Sequence, residues 1–285
     1  MADERIVRTI LTQSQIVRCQ DRYEFAYGWL ARAVSASISA SSYFICATPR
    51  SGSTLLCGLL RSTGIAGRPE SYFRVPDEQM WADRWQLSQD SEGRPDYHEY
   101  ARAAVGEGST GNGVFGARIM WGTMDRVVTE LGAARPDAAG ADLNLLTRAF
   151  GPTRFVHLWR EDTVAQAVSW SRAEQTNYWH PPASFAPERE PRFDFEQINA
   201  FVETIDEHNT AWRHWFAAND VRPHPVRYEE MVADVGGVTR GILDFLGLEL
   251  ARDRTIAARD QRQADEMNDE WIARYRAHRP GRTRA

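Results

Sequence analysis

The sequence contains no lysine, and all 34 of its basic Lys and Arg positions are arginine. An ATPase or kinase that depends on the lysine of a Walker-type phosphate loop is therefore excluded, as is an enzyme that forms a Schiff base with its substrate. The formal net charge is -5, which disfavours a general nucleic-acid-binding protein, since such proteins are normally basic. If this chain binds a phosphate-like anion, arginine must supply the positive charge.

Cysteines and long apolar runs are also scarce. Cys19, Cys46 and Cys57 are too few and too scattered for a disulfide framework or a zinc site. The seven histidines include no pair at the spacing of a helical metal site. No apolar run approaches the ~20 residues that a membrane span needs, and the first residues are not signal-like. We therefore expect a cytoplasmic protein without a membrane span that needs no metal and binds no nucleic acid.

Short apolar runs alternate with amphipathic stretches along most of the chain. The apolar runs, which predict strands, are 43–47, 113–120, 154–159 and 224–228. Stretches with helical periodicity follow them or lie between them. This alternation predicts an α/β fold in which helices flank both faces of a parallel sheet.

The same survey divides the chain into three parts. Residues 1–40 are predicted to form a helical extension, 41–278 the main domain, and 279–285 a disordered basic tail. The stretches 75–110 and 181–191 show no strong period, so we predict that they are long functional loops.

The most informative motif follows the first predicted strand, where residues 48–54 read Thr-Pro-Arg-Ser-Gly-Ser-Thr. A small polar loop that runs directly into a helix directs backbone N–H groups, hydroxyl groups and the positive helix end towards one point. Gly52 allows the backbone to approach a ligand closely, and Arg50 adds a planar positive group. The motif predicts a site for a tetrahedral anion. The alternative is a polar loop capped by serine and threonine.

Residues 49–54 resemble the phosphosulfate loop of sulfotransferases, which use 3′-phosphoadenosine 5′-phosphosulfate (PAPS). The longer pattern, which continues through 61–73, is more similar to the bacterial trehalose 2-sulfotransferase family. Three further blocks agree with that family in order, at 113–121, 165–176 and 262–276. The resemblance implies a P-loop-type, sulfotransferase-like α/β fold.

The resemblance also implies which residues hold the nucleotide. The residues implied to bind the 5′-phosphosulfate are Arg50, Ser51, Gly52, Ser53 and Thr54. Arg160 and Ser169 match the pair that grips the 3′-phosphate, and Arg262 matches a C-terminal segment that closes over the nucleotide. Arg160 follows a predicted strand at its carboxyl end, where ligands of open α/β sheets bind. The alternatives are a solvent-facing Ser169 and a solvated charged helix around Arg262.

The acceptor side departs from the family pattern. The family's general base is a glutamate after a Gly-x-Pro turn, and the matching position here is Ser71. A serine does not take a hydroxyl proton at neutral pH without help, so the adjacent Glu70 is the predicted base. The alternative is that Glu70 only pairs with an arginine. Trp121 and Trp179 match sugar-site regions of the family, with core packing as the alternative interpretation.

Together these features predict a PAPS-dependent sulfotransferase that sulfates a hydroxyl of a carbohydrate or glycolipid and releases adenosine 3′,5′-bisphosphate (PAP). A homodimer is expected, because the N-terminal segment carries apolar residues and symmetric pairs are the commonest assembly. Two alternatives remain. One is a phosphoryl-transfer enzyme on a related scaffold, against which the missing lysine argues. The other is a non-catalytic nucleotide- or sugar-binding protein, which only Ser71 supports.

Overall fold

A parallel sheet lies at the centre of the structure, a computed structural model that describes residues 42–134, 142–176, 190–251, 256 and 266–278. Its four strands are β1 (Ser42–Ala47), β2 (Phe115–Met120), β3 (Thr153–Trp159) and β4 (His224–Arg227). The helices in these residues are α1 (Ser53–Ser62), α2 (Val75–Arg84), α3 (Tyr97–Gly108), α4 (Trp121–Ala133), α5 (Asp142–Phe150), α6 (Thr163–Thr176), α7 (Phe195–Ala218), α8 (Tyr228–Ala233), α9 (Val235–Leu246) and α10 (Glu266–His278).

The order of the strands across the sheet is β2-β1-β3-β4, and all neighbouring strands are parallel. The chain leaves β1 towards β2 on one side and later adds β3 on the other side. The strand order therefore reverses at β1, and the crevice at the carboxyl end of such a strand is where open α/β sheets bind ligands. The carboxyl ends of all four strands lie at one edge, because Ala47 pairs with Met120 and Trp159 pairs with Arg227.

Both faces of the sheet are covered by helices, as the alternating side chains of β1 demonstrate. Phe44 and Cys46 belong to a core cluster that contains residues of α2, α3, α4, α5 and α7. Tyr43, Ile45 and Ala47 face the opposite side and pack with residues of α1, α8 and α9. The predicted α/β class, with a parallel sheet flanked on both faces, is confirmed.

The stretch 75–110, which we predicted to be a long loop, forms two helices instead, and that prediction is wrong. α2 has a proline in its first turn, and Asp96 caps α3 by accepting hydrogen bonds from two backbone N–H groups. The buried side of α2 consists of only Trp81 and Ala82, while α3 buries tyrosine, alanine and glycine. A buried stripe without branched aliphatic residues gives little helical period, so the sequence pattern missed both helices.

Other predicted elements differ only at their ends, and some predictions fall on residues that the structure does not describe. β2 begins at Phe115 rather than at 113. The predicted extension 1–40, the basic tail 279–285 and all but the last two residues of the predicted loop 181–191 lie outside the described residues.

No helix among the described residues is both long and apolar enough to cross a membrane.

Candidate active site

The loop between β1 and α1 turns sharply because two of its residues have a positive φ. Arg50 has φ 62° and Gly52 has φ 90°. A Cβ atom placed on Gly52 would lie 2.5 Å from Cδ2 of Tyr228, the first residue of α8. Glycine is therefore required at this position by both the backbone conformation and the close approach of the tyrosine ring.

The N-terminus of α1 is open to an anion. Its N-cap residue is Gly52, its first turn has no acidic residue, and no side-chain cap is present among the described residues. The Ser51 hydroxyl is fully buried and has no hydrogen-bond partner among the residues described. Unsatisfied N–H groups, the helix dipole and an orphaned hydroxyl together suit an anion with several oxygen atoms.

Arginine side chains gather beside this helix end. Nε of Arg50 donates a hydrogen bond to Oγ of Ser169 at 3.0 Å. Burial, followed by the positive charges of Arg160 and then Arg172, lowers the pKa of the Arg50 guanidinium. The Arg50 guanidinium still keeps its charge at neutral pH, because arginine loses its proton only at very high pH. Like charges held together in this way favour the binding of a multiply charged anion.

The Arg160 guanidinium lies over an aromatic ring. Its Cζ atom lies 4.6 Å from the ring centroid of Tyr228. Nε of Arg160 is buried and has no hydrogen-bond partner among the described residues. The ring orients the guanidinium through a cation–π contact and leaves N–H groups for a ligand. The sequence did not single out Tyr228; its only signal is its position directly after a parallel strand.

Helix α6 fixes the start of the loop. The buried Gln166 side chain donates hydrogen bonds to Oγ1 of Thr48 at 2.8 Å and to the carbonyl of Pro49 at 2.6 Å. Ser169 is three residues further along the same helix and so lies on the same face. The structure places Ser169 half-buried against Arg50, not on a solvent-facing surface. Gln166 is a second residue that the sequence did not single out.

The acceptor turn, residues 67–74, lies on the other side of the loop. One carboxylate oxygen of Glu70 accepts a hydrogen bond from Arg61 at 3.0 Å. The other accepts from Arg118 at 3.3 Å and from the backbone N–H of Ser71 at 2.9 Å. Burial alone would raise the pKa of Glu70, but Arg118, the Ser71 N–H and Arg61 together hold it below the ordinary range. Glu70 is therefore ionised at neutral pH.

Arg118, on β2, connects this turn to the loop. Its Nε donates to Oγ of Ser71 at 2.8 Å, and its Nη1 donates to Oγ1 of Thr54 at 2.8 Å. Nη1 also lies 3.4 Å from Oγ of Ser53. The structure thus brings Glu70 and Ser71 to the same guanidinium as two residues of the predicted anion loop. Sequence reasoning missed Arg118, because nothing in the pattern of β2 indicates which distant side chains it meets.

The remaining predicted site residues fall into two groups. Trp121 is half-buried and its ring packs edge-on against Trp212, with centroids 5.1 Å apart. The Trp212 indole donates to the carbonyl of Ala47 at 3.1 Å, so Trp121 lies near the carboxyl end of β1. Trp179 and Arg262 lie outside the described residues. Among the residues that are described, no group of three His, Cys, Asp or Glu side chains could hold a metal ion.

Comparison with known proteins identifies a family that matches this chain. The family model described as Stf0 sulphotransferase matches residues 42–278. The chain is 32% identical over 266 residues to the trehalose 2-sulfotransferase of Mycobacterium tuberculosis, covering 84% of this chain and 95% of that protein. It is 31% identical over 262 residues to the trehalose 2-sulfotransferase of Mycolicibacterium smegmatis, covering 83% and 94%.

Among solved structures, the sulfotransferase domain of the Synechococcus PCC 7002 olefin synthase aligns with a TM-score of 0.41 and 17% identity. The alignment covers 84% of this chain and 95% of that domain.

Proposed function

Since the chain belongs to the Stf0 sulphotransferase family, we propose that it moves a sulfuryl group from PAPS to a hydroxyl group of a carbohydrate. The curated relatives are trehalose 2-sulfotransferases, which supports a sugar as the acceptor. A glycolipid that carries such a sugar is a second acceptor within the same proposal. The observation that carries the donor side is the meeting of Arg50, Arg160 and Ser169 at the uncapped N-terminus of α1.

Two groups of residues are proposed to bind the two anionic ends of PAPS. We assign the 5′-phosphosulfate to the loop residues Arg50, Ser51, Gly52, Ser53 and Thr54. The uncapped helix end and the orphaned Ser51 hydroxyl support this assignment. We assign the 3′-phosphate to Arg160 and Ser169, and the buried, unpartnered Nε of Arg160 supports that choice.

PAPS supplies the activated sulfuryl group and a phosphate leaving group when it is bound. The chain contributes positioning and charge stabilisation. Arg50 and the N-terminus of α1 stabilise negative charge at the donor, as in other group transfers that rely on electrostatics rather than covalent catalysis. No step in this scheme uses a metal ion, because the arginines provide the positive charge.

Glu70 is the proposed general base on the acceptor side. Its lowered pKa keeps it ionised, so it can accept the proton of the acceptor hydroxyl. Its contacts with Arg61 and Arg118 fix the carboxylate but also reduce its basicity. The rival role for Glu70 is purely structural, as the ion-pair partner of these arginines. Ser71 and Trp121 are proposed to contact the acceptor, and Trp179 and Arg262 keep the roles that the resemblance implies.

Two other functions compete with this one. A phosphoryl-transfer enzyme would require ATP or a similar donor, normally with a divalent cation. A silent binding protein would bind PAP but transfer nothing. The family membership favours sulfuryl transfer over both.

A transfer assay tests the proposal directly. The protein is incubated with PAPS that carries a radiolabelled sulfuryl group, first with trehalose and then with a sugar and lipid extract, and labelled products are separated. Labelled carbohydrate that forms in the presence of EDTA supports the proposal. Label retained entirely in PAPS with every acceptor, by a protein that binds PAP, supports the silent binding protein. A protein that neither binds PAP nor transfers the sulfuryl group would refute the proposed function for this chain.

Two further predictions belong to the same proposal. We propose that the protein is a homodimer, and light scattering that gives a concentration-independent mass near the 32.4 kDa of the monomer would contradict this. We also propose a cytoplasmic location, which cell fractionation tests.

A further inference from the structure

Arg118 holds an unusual position between the two halves of the candidate site. Its side chain is 9% exposed, although the side chain carries a full positive charge. Three of its nitrogen atoms donate hydrogen bonds, one to Ser71, one to Ser53 and Thr54, and one to Glu70. An arginine is rarely buried to this degree without a complete set of partners. Only one of these partners, Glu70, is an anion.

The chemistry of these hydrogen bonds has a direction. A guanidinium has only donors, so each serine or threonine hydroxyl that it contacts must act as the acceptor. A hydroxyl group has a single proton, and that proton is then available to a second partner. The hydroxyl oxygens of Thr54 and Ser71 each lie 2.8 Å from a nitrogen of Arg118 and accept its hydrogen bond. The proton of each hydroxyl group can therefore be donated to another group.

We infer that Arg118 is a positioning residue that makes the hydroxyl groups of Ser53, Thr54 and Ser71 donors to the anionic donor substrate and to the acceptor. This inference rests on the proposed function. On this view Arg118 affects the ligand through the hydroxyl groups to which it donates, and not by direct contact. It also disfavours Ser71 as the proton acceptor, because the hydrogen bond from the cationic guanidinium makes the serine oxygen less basic.

Arg61 provides a matched control within the same site. It also donates to the Glu70 carboxylate, at 3.0 Å, and its second contact is to the backbone carbonyl of Pro69. Within the described part of the chain, the Arg61 side chain donates no hydrogen bond to Ser53, Thr54 or Ser71. Arg61→Gln and Arg118→Gln therefore both remove one positive charge from Glu70, but only the second removes the constraint on the hydroxyl groups.

The test compares PAP binding and turnover in the two variants. Arg118→Gln is expected to weaken PAP binding by about 10-fold or more, because a hydrogen bond involving a charged group contributes about 1.5–3 kcal/mol. Arg61→Gln is expected to leave the Kd for PAP within about threefold of the wild type. Equal PAP affinities for Arg118→Gln and Arg61→Gln overturn the inference. A wild-type protein that does not bind PAP refutes the proposed function instead, so the two failures are distinguishable.

A second set of variants keeps the test decisive if Arg118→Gln does not fold. Arg118→Lys retains the buried charge but replaces a planar fork with a point donor, and we expect weaker PAP binding and a lower kcat with normal thermal unfolding. Thr54→Val removes one hydroxyl group at nearly constant volume. Its effect on PAP binding is expected to be smaller in the Arg118→Lys background than in the wild type, because the two residues act as one unit. Wild-type values for Arg118→Lys, or strictly additive effects in the double variant, overturn the inference.

Discussion

The donor loop and the acceptor turn are built in different ways, although they meet at Arg118. The loop consists of contiguous residues, 48–54, and its main features are backbone features: two positive φ angles and an uncapped helix end. The acceptor turn depends on side chains from distant parts of the chain, since Arg118 is 47 residues from Ser71. A site built by contiguous backbone can be recognised in a sequence, whereas one assembled by long-range contacts cannot.

The difference also sets what each side can tolerate. The loop has several redundant donors for an anion, namely N–H groups, hydroxyl groups and arginines. The acceptor turn has a single carboxylate, Glu70, on which the proposed proton transfer depends. Variants of the acceptor side should therefore act on kcat, and variants of the donor side should act mainly on nucleotide affinity, except at Arg50, which also stabilises developing charge and so affects kcat.

Glu70→Gln is the change expected to have the largest effect. Glutamine keeps the shape and can still accept a hydrogen bond from an arginine, but it cannot take a proton. If Glu70 is the base, kcat falls by about 10²–10⁴-fold while the Kd for PAP is almost unchanged. Glu107→Gln is the matched control, because Glu107 is also a partly exposed carboxylate paired with an arginine, Arg84. A kcat within a few-fold of the wild type would mean that Glu70 is structural.

The pH dependence of the same enzyme sharpens this result. Glu70 acts as a base only when it is ionised, so activity is lost as the pH falls through its pKa. Because that pKa lies below the ordinary glutamate value of 4.5, the acidic limb of kcat/KM should also lie below 4.5. A limb near neutrality, unaltered by Glu70→Gln, would assign the proton transfer to another group.

Arg50→Ala is expected to have the next largest effect. Alanine and arginine have the same backbone cost at φ 62°, so the substitution removes the guanidinium without new strain. Loss of one preorganised group that stabilises developing charge lowers kcat by about 10²–10³-fold. Thermal unfolding that matches the wild type shows that the fold is retained. Near-normal turnover in Arg50→Ala would contradict the assignment of this loop to the catalytic site.

Arg160→Ala should change the choice of nucleotide rather than the chemical step. We expect weaker binding of PAP by roughly 10- to 150-fold, because a charge-assisted hydrogen bond to the 3′-phosphate is lost. Adenosine 5′-phosphosulfate lacks that phosphate, so its binding should change little and serves as the internal control. Equal losses for both nucleotides would show that Arg160 does not read the 3′-phosphate.

Ser169→Ala should have the smallest effect of this series. The Ser169 hydroxyl also accepts a hydrogen bond from Arg50 at 3.0 Å. Its loss therefore removes one contact that orients Arg50 as well as the proposed contact with the 3′-phosphate. A single hydroxyl contributes about 0.5–1.5 kcal/mol, which corresponds to a roughly 2- to 13-fold change in PAP affinity. Ser171→Ala on the same helix is the control, because that hydroxyl bonds to Gln197 and Gln175. A Ser171→Ala variant that weakens PAP binding as much as Ser169→Ala would contradict a specific role for Ser169.

Much of the fold was predictable from short-range patterns. β1 reads as a strand because residues 43–47 form a continuous apolar run, and α1 follows because its leucines recur at helical spacing. α2 and α3 were missed because their buried residues are mainly aromatic or small. Long-range partners were missed as well: neither the ring of Tyr228 against Gly52 nor the Gln166 contacts with Thr48 and Pro49 has a signature in the sequence.

The central claim is that arginines and a helix end hold a nucleotide with a 3′-phosphate and need no metal ion. Isothermal titration of the wild-type protein with PAP in the presence of EDTA tests this most directly, with ATP as the comparison ligand. The account predicts that PAP binds one site per chain and that ATP does not compete. PAP binding that requires a divalent cation, or ATP binding as tight as that of PAP, would contradict it.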